Sequence, residues 1–140
     1  MTEYVAGFMF NRVTGYDHVD KVALIRKNRP AWQAGKLNGI GGHIELNETP
    51  EGAMRREFFE ETGVQTTWKK FCVLTGPNYV VHFFYTFGVL EELKTTTDEE
   101  VVIVPISEVD VHNSISNLIW LIPMAQEKQG SPGYYSIEDF

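Results

Sequence analysis

The chain has 140 residues, 43% apolar and 22% charged, the composition of an ordinary globular protein, and we read 1–140 as one domain. Twelve basic against nineteen acidic residues leave a net charge of −7, which argues against broad electrostatic binding of a nucleic-acid polymer or an anionic membrane. The single cysteine, Cys72, excludes an intramolecular disulfide framework and every Cys-x-x-Cys metal or redox site.

A reducing, cytoplasmic setting is the expectation. The opening MTEYVAGFMF lacks the basic cluster of a secretory signal, and no apolar run is long enough to span a bilayer. The triplet Asn47-Glu48-Thr49 is then read as a chance match to a glycosylation acceptor. Sequence leaves monomer and homodimer equally open.

In chain order, Tyr4 to Phe10 and Lys21 to Arg26 are rich in β-branched, aromatic and aliphatic residues and are expected as strands. A helix is expected to start at Thr49-Pro50, a hydroxyl cap followed by proline at the first helical position, and to end before Gly63. Strands follow around Phe71 to Leu74 and Val80 to Leu90, then a polar loop from Glu91 to Glu100. Val101 to Val104, closed by Pro105, is expected as a buried strand. A second helix is expected from Ser114 or Ser116 towards Lys128, kinked at Pro123. The final GSPGYYSIEDF is expected to be a loosely held tail whose Tyr134, Tyr135 and Phe140 lie on the domain's own surface. Strands with two main helices predict an α/β (α+β) sandwich around a mixed central sheet.

The first helix carries the chemistry. At 100° per residue, Glu57, Glu60 and Glu61 fall within an arc of about 100°. Ala53 and Met54 lie on that face one turn earlier, and Phe58 and Phe59 are expected on the other side. Like charges at this spacing destabilise a helix by ~0.2–0.5 kcal/mol per pair. One reading is a solvated acidic face with Arg56 and Glu60 as an i,i+4 pair. The other is a site for a hard divalent cation, Mg²⁺ or Mn²⁺, with the glycine pair Gly41-Gly42 just upstream. His43, His82 and His112 share no converging spacing and are not read as ligands.

These residues resemble a known family. Gly42, Glu48, Arg56-Glu57, the bulky Phe58, Glu60-Glu61, Gly63 and the bulky Val64 reproduce all nine fixed positions of the Nudix box over twenty-three residues. The resemblance implies a Nudix-like α/β/α sandwich and metal-dependent hydrolysis of a nucleoside diphosphate linked to another group. It implies Glu60 and Glu61 as principal metal ligands, Glu57 as ligand or base, and a further oxygen from the Gly41 carbonyl. Arg56 would orient the carboxylates and Glu48 would support the loop.

Many members add an acid from outside the box, and here Asp98, Glu99 and Glu100 are candidates, with Glu100 carried forward; a solvated charged turn is the alternative. The stretch Asn38-Gly-Ile-Gly-Gly is similar to one found in members that cleave oxidised purine nucleoside triphosphates, with Leu37 where those have tryptophan. Asn38 is therefore a candidate base contact or simply part of an Asn-Gly turn. Arg26, with Lys27 and Arg29, is a candidate phosphate contact, and Trp32 is a candidate for stacking on the base. The leading substrate is a (d)NTP or oxidised purine nucleotide, giving the monophosphate and pyrophosphate. Rivals are ADP-ribose, a nucleotide sugar or a dinucleoside polyphosphate, or a non-catalytic nucleotide sensor.

Overall fold

In the computed structural model, which describes residues 1–12 and 19–139, strict alternation along β1 (Thr2–Asn11) makes that strand the divider of two cores. Val5 and Met9 enter one apolar cluster, and Ala6, Phe8 and Phe10 enter the other. Burying each of these large side chains contributes roughly 1.5–3 kcal/mol. Helix α1 (Pro50–Thr62) closes the first cluster with Ala53, Met54 and Phe58, and α2 (Leu118–Lys128) closes the second with Leu118, Leu121, Ile122 and Ala125. The result is the expected mixed sheet between two helices.

Along one edge β1 runs parallel to β6 (Tyr79–Gly88) over its whole length. Its other edge is divided. Met9 and Phe10 pair with β2 (Lys21–Arg26), while Tyr4 to Gly7 pair antiparallel with β4 (Ile40–His43). β2 instead pairs along its length with β7 (Glu100–Pro105), and at its end with the short β3 (Leu37–Asn38). β5 (Lys69–Thr75) continues the sheet beyond β6 and carries β8 (Tyr135–Glu138) on its outer side. The split beside β1 sets β4 against α1.

Five expectations change. Four residues of the tail form a strand: β8 runs parallel to β5, and Lys70 and Lys128 lie over the Tyr134 and Tyr135 rings at 5.2 and 4.9 Å. Phe140 lies outside the described residues. Secondly, the segment holding the glycine pair, for which no strand was expected, is β4, and its close pairing requires glycine, since a Cβ at Gly41 would overlap the Val5 carbonyl of the neighbouring strand. β7 is not a fully buried strand, since among the described residues it pairs only with β2, and Ile103 is exposed. The strand expected to reach Leu90 stops at Gly88, and Leu90 opens a short 3-10 turn. Finally, α2 starts after Asn117, later than Ser114 or Ser116, and runs through Pro123 without interruption.

Candidate active site

Local chemistry fixes α1 at both ends. Thr49 Oγ1 accepts from the Gly52 amide at 3.1 Å, Pro50 occupies the first helical position, and Gly63 takes a left-handed conformation (φ 77°) that returns its N–H to Phe59 O. Between these caps the buried face consists of Ala53, Met54, Phe58 and Thr62. Glu57 and Glu61 flank that stripe and are half-buried, whereas Glu60 is exposed. Phe59 does not share the buried side with Phe58: it lies 100° further round and is exposed.

Arg56 is the hub. Its Nε and Nη2 donate to the two oxygens of Glu48 at 2.6 and 2.9 Å, and Nη2 also donates to the His43 carbonyl at 3.0 Å. Nη1 donates to Glu57 Oε1 at 3.1 Å and to Glu60 Oε2 at 3.3 Å. One planar guanidinium thus ties the preceding loop to two of the three helix acids, which a point charge could not do. Glu48 Oε1 also accepts from the Glu45 amide at 3.0 Å, and Asn47 takes the left-handed backbone (φ 67°) that lets the loop turn.

The acids respond differently to this setting. The Arg56 guanidinium, bonded to both oxygens, holds the Glu48 carboxyl below the usual range. Burial pushes Glu57 up in spite of Arg56, with the charges of Glu60 and Glu48 adding to the effect. Burial also pushes Glu61 up, against the Thr97 hydroxyl that donates to its Oε2 at 2.9 Å and with the charges of Glu57 and Glu99 adding to it. Two neighbouring carboxylates therefore stay charged only at a cost, which a bound cation relieves. Gly42 fits this: its backbone lies so close to Glu57 that a Cβ would sit 2.5 Å from Oε1, so only glycine leaves the carboxylate in place.

Glu57, Glu60 and Glu61 are brought to one end of one helix, but not to a common point. Among the described residues no three His, Cys, Asp or Glu side chains form a ready-made metal cluster, because Glu57 and Glu60 turn to Arg56 and Glu61 turns to Thr97. The donor chemistry, all carboxylate and carbonyl oxygen, nevertheless suits a hard divalent cation.

The outlying candidates are more dispersed. Glu100 is exposed at the start of β7 and faces Arg26 at 3.6 Å, and Arg26 also donates to the Gly35 carbonyl at 3.2 Å. Glu99 is buried, and its neighbour Asp98 pairs with Arg29. Trp32, in a 3-10 turn over Ala31–Gln33, is 67% exposed and so available for stacking. Asn38 is internally engaged: its Nδ2 donates to Gln33 at 3.1 Å and its Oδ1 accepts from the Gly39 amide at 2.7 Å. A groove of about 580 Å³ on the outer side of α1, lined by Gly52, Arg55, Arg56, Phe59 and Gln65 to Thr67, shares only Arg56 with these groups and is not the acid site.

Sequence reasoning did not find Thr97 or the salt bridge between Lys27 and Glu99. The only signal was the hydroxyl run Thr95-Thr96-Thr97 in a polar loop.

Residues 6–120 match the family model described as the NUDIX domain. No curated protein sequence gives a significant match. Among solved structures, the chain is similar to the NUDIX domain of Shewanella oneidensis NrtR complexed with ADP ribose, with a TM-score of 0.74 and 18% identity over 91% of this chain and 87% of that one. It is similar to MutT studied from Aliivibrio salmonicida and Vibrio cholerae, with a TM-score of 0.70 and 19% identity over 90% of this chain and 98% of that one. A Streptococcus suis ADP-ribose pyrophosphatase shows a TM-score of 0.70 and 14% identity over 99% of this chain and 98% of that one. At these identities the likeness establishes the fold.

Proposed function

Because the chain belongs to the NUDIX family, we propose that it is a divalent-metal-dependent pyrophosphohydrolase of a nucleoside diphosphate linked to another group, with the acid end of α1 as its centre. The observation that carries this reading is the acid set Glu57, Glu60 and Glu61 on one helix, two of them held by a guanidinium that also fixes the preceding loop. A solvated acidic face does not account for the half-buried Glu57 and Glu61 or for the carboxylate fitted against Gly42.

Glu60, Glu61 and the Gly41 carbonyl are the groups we assign to hold Mg²⁺ or Mn²⁺, with Glu57 a further ligand where it does not serve as the base. When bound, the cation offsets diphosphate charge and lowers the pKa of bound water. Glu57, whose carboxyl burial lifts above its ordinary range, is the group we assign to accept the proton of the attacking water as a phosphorus-oxygen bond breaks. Glu100, exposed at the start of β7, is the alternative base, and comparing Glu57→Gln with Glu100→Gln separates the two. Arg56 and Glu48 position. Arg26 and Trp32 are assigned to phosphate and base contact.

For the substrate we propose a (d)NTP or an oxidised purine nucleotide, giving the monophosphate and pyrophosphate, on the Asn38-Gly-Ile-Gly-Gly stretch and the likeness to MutT. ADP-ribose is the second reading, because one structural neighbour is an ADP-ribose pyrophosphatase and another is complexed with ADP ribose. The engaged Asn38 amide also weakens direct base reading by that residue. A screen of (d)NTPs, oxidised purine nucleotides, ADP-ribose and dinucleoside polyphosphates with Mg²⁺ or Mn²⁺ decides. Turnover of ADP-ribose without turnover of any triphosphate would discard the first reading, and binding without turnover of any compound would identify a sensor.

The fit at Gly42 gives a further expectation. Gly42→Ala must displace the Glu57 carboxylate or the β4 backbone, so kcat should fall at least about tenfold, the loss that ~1.4 kcal/mol of misplaced transition-state stabilisation produces. Steady-state kinetics beside a circular dichroism spectrum checks this, and wild-type kcat would show that Glu57 needs no such seat.

A further inference from the structure

The final carbonyls of a helix need partners from outside it. In α1 the last three are served from one segment more than thirty residues further on: Glu60 O accepts from Thr96 Oγ1, Glu61 O from the Thr96 amide at 3.3 Å, and Thr62 O from the Lys94 amide at 3.1 Å. The same segment is pinned on its far side. Glu99, 6% exposed, accepts from Lys27 Nζ at 3.1 Å through Oε1 and from the Asn28 amide at 2.6 Å through Oε2. Asn28 Nδ2 donates to Asp98 O at 2.6 Å, and Arg29 pairs with the Asp98 carboxylate. Residues 94–99 therefore form a brace between the end of the acid helix and the 27–29 turn.

Thr97 is the one hydroxyl of this brace that reaches an acid side chain rather than the helix backbone. Its oxygen accepts from the Glu99 amide at 3.2 Å, and its proton has two acceptors in reach, Glu61 Oε2 at 2.9 Å and the Glu99 carbonyl at 3.4 Å, of which the shorter contact to the carboxylate is the stronger. A hydroxyl has a single proton. With a lone pair taken by Glu99 N–H, that proton is aimed at Glu61, which fixes the rotation of the carboxylate and leaves Oε1 unclaimed by this bond. We propose that Thr97 is a positioning residue that presents Glu61 Oε1 to the divalent cation, an inference that rests on the metal-dependent reading above. Hydrogen bonds to a ligand's second atom commonly set its orientation and basicity. The helix end does not need this bond, because Lys94 and Thr96 already satisfy its carbonyls, so positioning is separable from capping. Glu99 is an anchor of the brace, since both its oxygens are engaged away from α1.

The test measures Mn²⁺ binding to the nucleotide-free protein by electron paramagnetic resonance or calorimetry, for wild type, Thr97→Val, Thr97→Ser and Glu61→Gln, with kinetics alongside. Thr97 is exposed, so valine is accommodated without disturbing the core. Thr97→Val should weaken Mn²⁺ binding by about 10–100-fold, with kcat partly recovered at high Mn²⁺ and Tm in EDTA lowered only slightly, since its two lost hydrogen bonds are at an exposed position. Thr97→Ser, which keeps the hydroxyl, should bind within about threefold of wild type. Equal Mn²⁺ affinity in wild type and Thr97→Val, equal losses in Thr97→Val and Thr97→Ser, or a fall in the Thr97→Val Tm matching its loss of affinity would each overturn the proposal. If wild type and Glu61→Gln both fail to bind Mn²⁺, the metal-dependent reading itself falls.

Discussion

Glu61→Gln is expected to lower kcat by about a thousandfold while raising Tm when the protein is held in EDTA at neutral pH. The loss follows from removing one charge of a cation site that supplies several kcal/mol to the transition state, ~4 kcal/mol being about a thousandfold in rate. The gain in Tm follows from linkage. Burial, then the charges of Glu57 and Glu99, lift the Glu61 carboxyl above its ordinary 4.5, so the folded chain holds its proton more tightly than the unfolded chain does. Between 4.5 and the raised value the folded state binds more protons, so stability falls as pH rises through that window, and above it the penalty is complete. Glutamine removes that penalty and keeps an oxygen for the Thr97 hydroxyl. The difference between variant and wild type should therefore shrink at pH 4 and be full at pH 7.5, and added Mn²⁺ should stabilise only the wild type strongly. Thermal unfolding in EDTA at the two pH values, then with Mn²⁺, checks each part. A lower Tm for the variant at pH 7.5 in EDTA would show that the Glu61 charge is structural.

Such a residue, costly to the fold and placed for chemistry, is the kind that sequence exposes well. The helix that carries it was legible to the residue because local signals bound it: the Thr49 cap, Pro50 and the left-handed Gly63 each act within one turn. The strands β1 and β2 were legible through their β-branched, aromatic and aliphatic runs. β8 was not, because Tyr135–Glu138 is a short edge strand whose partner β5 is some sixty residues away, and nothing local distinguishes it from a tail. Nor did the Phe58-Phe59 pair reveal that only one ring reaches the sheet, since that depends on which side of the helix the sheet lies. The brace from Lys94 to Glu99 was the least legible part of the site. Its hydrogen bonds join a polar loop to α1 and to the 27–29 turn across large sequence separations, and polar loops carry no periodicity from which such contacts can be read.

Arg56→Lys should damage both stability and rate although it keeps the charge. A lysine keeps the charge but brings one nitrogen to a place where three guanidinium nitrogens serve Glu48, the His43 carbonyl, Glu57 and Glu60. Glu48 is partly buried, so loss of the bidentate bond leaves its carboxylate with the Glu45 amide and only partial access to water. A cost of about 2 kcal/mol is expected for unpairing such a group, and for a domain of this length that lowers Tm by roughly 4–8 °C. The pH dependence identifies the cause. Arg56 holds the Glu48 carboxyl below its ordinary 4.5, so this pair stabilises the fold above 4.5 and stops doing so as pH falls through the depressed value. The wild-type advantage over Arg56→Lys should thus be complete at neutral pH and vanish in acid, where Glu48 is protonated in both. Because Glu57 and Glu60 lose their common donor, kcat should fall by about a hundredfold even well below the lowered Tm, and Arg56→Lys/Glu48→Gln should recover part of the stability but little of the rate. Urea unfolding from pH 3 to pH 8, beside kinetics at 20 °C, separates the two effects; a stability difference that persists unchanged into acid would assign the damage to lost packing rather than to the fork on Glu48.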